Sequence, residues 1–366
     1  MAEISQKKYR KGRRLPAKRG LLVTFVVIAV LAVGLFFADA ITSNLSGPPQ
    51  HIQLGATFSK PYAESLGLDW KAVYTAMLDD LLVQRIRVPA YWDNIEPEPG
   101  VYDFSDVDWQ VREAAKRGAQ IVLAVGRKLP RWPECRVPAW ATGMDETLLR
   151  ARILGMIERT VKHYSEFPNI IMWQVENEPF FPFGDCPEPD RALLKQEVQL
   201  VHALDNRPVM VTESGELSTW INAATLGDVL GISTYRVVWD KRLGYLYWPI
   251  TPATYRGRAA AIRGFVDDII VSELQAEPWV PGGMENMPVD EQLRLLSPQR
   301  LLDNVDFARR IGFSAAYFWG AEWWYWLKTV KGHAELWDTA KEIIQGGGEI
   351  FPTSPASSAS LPVMRP

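Results

Sequence analysis

The chain of 366 residues is poor in cysteine and histidine: two cysteines, Cys135 and Cys186, and four scattered histidines at 51, 163, 202 and 333. No HExxH and no Cys/His cluster occurs, so a structural zinc site is not expected. The chain also lacks a Gly-rich first turn. Its first apolar run leads into LGATFSKPY, which is not GxGxxG, and this argues against an open dinucleotide-binding sheet. A basic body is missing as well. Residues 1–20 hold eight Lys/Arg and one acid, Glu3; the remaining 32 bases and 42 acids give residues 21–366 a net charge of about −10. Phosphate neutralisation needs a basic face, so nucleic acid is excluded as the expected partner.

What is present is an apolar chain, 47% hydrophobic, with 15 tryptophans. That is enough for one large core. The basic residues between Lys7 and Arg19 precede LLVTFVVIAVLAVGLFFADA, residues 21–40. Residues 21–38 carry no charge and are long enough to span a bilayer as a helix. The positive flank is expected to stay in the cytoplasm, with the rest of the chain outside. The apolar run exceeds the usual length for a cleaved signal, so a signal anchor is the preferred reading. Cleavage at Ala38-Asp39-Ala40, with secretion of the remainder, is the alternative. The expected organisation is a basic cytoplasmic segment at 1–20, a transmembrane helix at 21–40, a polar linker at 41–50, one domain at 51–345 and a disordered tail at 346–366.

Within 51–345 short apolar runs alternate with longer amphipathic segments. The runs are 53–58, 84–90, 120–125, 169–175, 208–213, 228–233, 268–273 and 315–319. Helices are expected at 70–82, 106–117, 146–165, 191–204 and 297–311; in the third, Leu148, Ile153, Met156, Ile157 and Val161 recur at helical intervals. Eight strands alternating with helices predict an α/β fold, the (β/α)₈ TIM barrel, preceded by the transmembrane helix. Such a barrel collects its functional side chains just after each strand. Arg87, Arg127 and Lys128, Asn177 and Glu178, Glu213, Tyr235, Glu273, and Trp319 with Glu322 occupy those places.

Two carboxylates at one barrel mouth can split a glycosidic bond, one donating a proton to the leaving oxygen and the other attacking the anomeric carbon. Their environments must differ, so that one keeps its proton and the other stays ionised. Four segments strengthen this reading: RIRVPAYWDNIEPEPGVYDFSDVDW (85–109), WQVENEP (173–179), IIVSELQAEPW (269–279) and YFWGAEWW (317–324). Together they resemble the clan A retaining glycoside hydrolases, the (β/α)₈ group that includes cellulase-like family five and the β-galactosidases. The resemblance implies that Glu178 is the acid/base, Glu273 the nucleophile, and Asn177 the contact to the sugar 2-OH. It further implies that Arg87 and Tyr235 support the nucleophile and that Trp319 stacks beneath the sugar. The partner implied is a carbohydrate; no metal or organic cofactor is needed. A transglycosylase using the same residues, and a sugar-binding protein without activity on the same fold, are the alternatives.

Three further glutamates compete for attention. Glu277 is expected in the loop after the seventh strand, and Glu213 on the fifth. Glu176 is expected to share a face with Glu178. It either tunes that group or forms a salt bridge with a nearby Arg or Lys. Trp92, Trp132, Trp140, Trp279 and Trp323 fall in predicted loops. Of these Trp92 and Trp279 are the expected sugar contacts, while Trp70, Trp109 and Trp337 are expected to pack on helices. Cys135 and Cys186 fall in the loops after the third and fourth strands, which a barrel sets side by side. A disulfide bracing the cleft is one expectation, two free thiols the other. The residues after Glu273 depart from the shorter Glu-Phe-Gly-like turn of many clan A enzymes, which leaves the sugar open.

Overall fold

A computed structural model describes residues 50–346 of the chain. The expected basic segment, transmembrane helix, nearly all of the linker and residues 347–366 of the tail lie outside the described residues. Among the described residues, no helix is long and apolar enough to cross a membrane.

Each of the eight apolar runs forms a strand of one closed parallel barrel. The strands are β1 (Gln53–Thr57), β2 (Arg85–Pro89), β3 (Gln120–Val125), β4 (Ile170–Val175), β5 (Val209–Glu213), β6 (Val229–Thr234), β9 (Asp268–Gln275) and β10 (Ala315–Trp319). A short antiparallel hairpin, β7 (Val237–Asp240) and β8 (Gly244–Tyr247), is inserted after β6. The barrel strands are buried on both faces, which is why they read as apolar runs rather than alternating ones. Alternation still governs which side chain faces which way. Val122, Met210, Val229, Ile270, Ala315 and Tyr317 form a cluster of their own inside the barrel. The larger core lies between the strands and the helices.

Among the described residues seven helices have ten residues or more: α1 (Trp70–Asp79), α2 (Ser105–Lys116), α3 (Glu146–Tyr164), α4 (Arg191–Leu204), α5 (Pro252–Ile262), α6 (Pro298–Ile311) and α7 (Glu335–Gln345). Their starts are written locally. Asp69, Asp145 and Asp190 accept backbone N–H groups of the first turns of α1, α3 and α4, each cap stabilising by about 1 kcal/mol. Helix α6 starts Ser-Pro and ends on Gly312 at φ 82°, a left-handed C-terminus that glycine adopts without strain. The buried stripe of α3 is Ile153, Met156, Ile157, Thr160, Val161 and Tyr164. Leu148 does not belong to it: it lies one turn before the packed face and is exposed. Between β5 and β6 a single helical turn, Ile221–Ala224, stands where a long helix would complete the alternation.

Strand β9 carries one residue more than its neighbours. Ile232 pairs with Val271 and Ser233 with Glu273, while β10 skips likewise between Ala316 and Phe318. Val271 and Leu274 face the outer core, and between them both Ser272 and Glu273 turn inward. This is a bulge, a device that re-aims a side chain beside functional sites.

Candidate active site

The end of β4 makes an unusual turn. Glu176 and Glu178 both have positive φ, 57° and 42°, with Asn177 between them. Non-glycine residues reach that region at a cost, so the surroundings must fix them. The Glu178 amide donates to Thr212 Oγ1 at 2.7 Å. Lys128 Nζ donates to the carbonyls of Glu178 and Phe181, at 2.9 and 2.6 Å. Both oxygens of Glu176 accept backbone amides, Arg127 N and Lys128 N, each at 2.6 Å. Glu176 therefore ties the end of β4 to the loop after β3. Its hydrogen-bond partners there are backbone amides rather than the expected Arg or Lys side chain. Gly126, at φ 135°, is needed for this contact, since a Cβ there would meet Glu176 Oε1 at 2.5 Å.

The two carboxylates at the centre have different company. Glu273, on the bulge, accepts from Arg87 Nη1 and from the Tyr235 hydroxyl, both at 2.9 Å, one on each oxygen. Arg87 is fully buried on β2. Its Nε donates to Gln174 Oε1 at 2.6 Å and its Nη2 to Asn177 Oδ1 at 2.7 Å. One guanidinium thus orients both Asn177 and Glu273. Glu178 has no cation on its carboxyl group; Ser233 Oγ donates to Oε1 at 2.7 Å. Burial pushes the Glu178 carboxyl well above the usual carboxylate range, and the negative charges of Glu273 and Glu134 push it further. The two carboxyl groups thus differ in their partners, one held by a cation and a hydroxyl, the other by a hydroxyl alone.

Glu134 was not marked by the sequence. It is buried in the loop after β3, and its Oε2 lies 3.3 Å from Lys128 Nζ without another hydrogen bond. Burial raises its carboxyl to about 8, against the opposing pull of Lys128. The next residue, Cys135, is disulfide-bonded to Cys186 of the loop after β4, with Cα atoms 5.2 Å apart. Closing a loop of that separation, 51 residues, stabilises by about 4 kcal/mol in the chain-entropy account.

The other expected contacts divide. Tyr235 lies edge-on to Trp279, centroids 5.6 Å apart, and Trp279 in turn packs on Phe183. Trp279 is partly exposed beside Glu273's partner, where a sugar face can meet it. Trp92 is not at the cleft surface. A one-turn helix, Trp92–Ile95, folds it inward; its indole N–H donates to Glu96 Oε2 at 2.7 Å and no ring face is left for a sugar. Trp319 is also covered: the Arg131 guanidinium lies 4.1 Å from its ring centre, and the residue is 8% exposed. Arg131 ion-pairs with Glu277 and with Glu322, the latter at 3.2 Å. Glu277 is therefore tied down within its loop. Glu213 ends β5 and is buried, its carboxyl raised by burial to about 7. Trp70 and Trp109 pack edge-on at 5.0 Å between α1 and α2. Among the described residues no group of three or more His, Cys, Asp and Glu side chains is placed to hold a metal ion.

No protein-family model matches the chain, and no curated protein is similar to it in sequence. Solved structures share its fold. A GH5_18 protein from Bifidobacterium longum subsp. longum ATCC 55813, in complex with Manβ1-4GlcNAc, has 12% identity and a TM-score of 0.56 over 83% of this chain and 80% of that one. Xylanase 10B from Thermotoga petrophila RKU-1, in complex with xylobiose, has 13% identity and a TM-score of 0.52 over 82% of this chain and 95% of that one. An exo-β-1,4-mannosidase from Opitutaceae bacterium strain TAV5 has 14% identity and a TM-score of 0.52 over 83% and 62%. Likeness at such identity establishes the fold alone, the closed barrel of eight parallel strands that the apolar runs predict.

Proposed function

We propose that the chain is a retaining β-glycosidase acting on β-linked oligo- or polysaccharide, with Glu178 as acid/base and Glu273 as nucleophile. One observation carries this reading: two inward carboxylates share one mouth, one paired with Arg87 and Tyr235, the other without a cation. Glu178 gives its proton to the glycosidic oxygen as Glu273 attacks C1 from the opposite face. The bond from C1 to the leaving oxygen breaks and a glycosyl–Glu273 ester forms. Glu178, now a carboxylate, takes a proton from water, whose oxygen attacks C1 and returns Glu273 to its ionised form. Asn177, its Oδ1 fixed by Arg87, is oriented to offer its amide nitrogen to the sugar 2-OH, where contacts strengthen in the transition state. Trp279 offers a partly exposed ring beside Tyr235.

On this proposal the domain lies outside the cytoplasm, with residues 21–40 as its signal anchor. The basic flank before that apolar run supports this orientation, as does the disulfide, a bond that persists in oxidising compartments.

The test uses the full chain in detergent on a panel of aryl β-glycosides. Glu273→Gln is expected to lower kcat by about 10⁴-fold or more. Glu178→Gln is expected to lower kcat/KM by about 10²–10⁴-fold on poor leaving groups and far less on good ones, whose departure needs no proton. Activity that survives both changes means that other residues do the chemistry.

A further inference from the structure

The glycosidase reading leaves open whether a chain is cut within or trimmed from its end. The surroundings of Arg131 bear on that question. Its guanidinium is sandwiched between two rings, 3.8 Å from the centre of Tyr62 and 4.1 Å from that of Trp319. Its ends meet Glu277 and Glu322. Those carboxylates are themselves pinned. Glu277 accepts the Tyr62 hydroxyl at 2.9 Å, and Glu322 accepts the Ser59 amide at 2.6 Å. Gly320, at φ 133°, lets the end of β10 approach this close, since a Cβ there would meet Glu277 Cβ at 2.6 Å. Four loops, those after β1, β3, β9 and β10, are thereby laced into one wall. Its charged members, Arg131, Glu277 and Glu322, are 7%, 8% and 0% exposed.

The position of the wall gives it a consequence. Glu178 leans toward β5 and β6 through Thr212 and Ser233. Arg131 comes from the loop after β3, but the residues that clamp it follow β1, β9 and β10, on the side of Glu273 away from β6 in the strand order. The leaving group must lie at Glu178, so the sugar that becomes bonded to Glu273 extends the other way, toward Arg131. The wall adjoins Glu273 in the fold: Trp319 ends β10, the strand paired with β9, and Glu277 lies just past the end of β9, four residues after Glu273.

Resting on the proposed glycosidase function, we infer that Arg131, clamped by Tyr62, Trp319, Glu277 and Glu322, closes the glycone end of the cleft and makes the enzyme exo-acting, removing one sugar at a time from the non-reducing end of a β-linked oligosaccharide. Arg131 is a specificity-determining residue in this scheme. Where a polysaccharide-cutting site leaves an open ring face for the next sugar, Trp319 presents a guanidinium.

The experiment follows the first product released by the full chain from 4-nitrophenyl β-glycosides of one, two and three β-linked sugars, separated by chromatography. Monosaccharide and a shortened aryl glycoside are expected first, with free nitrophenol from the two- and three-sugar compounds delayed until the single-sugar glycoside accumulates. Arg131→Ala is expected to release intact disaccharide with nitrophenol at least ten-fold more often, relative to monosaccharide, than the parent. The unaltered protein decides the matter even if that variant does not fold. Intact disaccharide as its first product overturns the inference and leaves the glycosidase reading standing. Silence toward every compound, of whatever length, overturns both.

Discussion

Arg87 and Arg131 are both buried guanidiniums at the mouth of one barrel, held in contrasting ways. Arg87 sits on β2, and each of its three nitrogens finds an oxygen across the barrel, on β4, just beyond β4 or on β9. Arg131 sits in a loop at φ 83°. Its Nε has no hydrogen-bond partner, and its charge is shared between two carboxylates and two aromatic rings. The first arrangement fixes atoms to within a hydrogen bond; the second fills a volume. A buried ion pair is thus defined by its geometry more than by its charge: Arg87 orients Asn177 and Glu273, and Arg131 shapes the space beside them. Breaking either pair leaves charge uncompensated in the interior, which costs about 3–5 kcal/mol when one partner is removed.

The contrast can be broken by exchanging geometry while keeping charge. Arg87→Lys retains the cation but cannot reach Gln174, Asn177 and Glu273 together. It should lower kcat on an aryl monoglycoside by about 10²–10³-fold, as loss of preorganised donors does, and lower the melting temperature as well. Tyr235→Phe removes a single donor to Glu273 and should cost about 10²-fold in kcat, with little change in the melting temperature. Arg131→Lys should do the reverse. Its readout is thermal, a loss of about 1–3 kcal/mol as the stacked fork is replaced by a point charge, with kcat on the monoglycoside changed less than ten-fold. Equal catalytic losses for the two lysine variants would erase the distinction.

Glu134 gives a smaller effect, read through pH. Glu134 carries its charge only as pH rises through about 8, and that charge raises the Glu178 carboxyl; Glu134→Gln should therefore bring the part of the alkaline limb of kcat/KM above about pH 8 to lower pH and leave the profile well below it unchanged. The same variant tests stability. The Glu134 carboxyl is raised from 4.5 to about 8 on folding. The folded state therefore holds more protons between those values, and its contribution is full below pH 4.5 and lost as pH rises through about 8. The variant should lose less melting temperature over that interval than the parent.

The strands and the central pair were legible in the sequence because their signals are local. Eight apolar runs become eight strands, and the barrel brings together Arg87 and Glu273, on β2 and β9, with Asn177, Glu178 and Tyr235 just beyond β4 and β6. Arg131 was illegible for the opposite reason: Glu277 and Glu322 lie 146 and 191 residues away, and nothing in LPRWPECR marks the arginine as their partner. Trp319 was misread with it, since the expected open ring is closed by a side chain from a distant loop. Trp92 was misread more locally. Glu96 follows it by one helical turn, a spacing at which a carboxylate can take the indole N–H, and that pair was the available signal. The missing long helix between β5 and β6 left no mark in the apolar rhythm, because the strands alone carry it.

The bulge in β9 bears on protein engineering. Counting outward from Val271 by strict alternation assigns residue 273 to the helix layer. The extra inward residue reverses that count, and Glu273 meets Arg87 instead. A designer who threads this strand onto an idealised barrel with uniform pleat would copy every residue correctly and still aim the reactive carboxylate away from the cavity. The irregular step must be transplanted with the sequence.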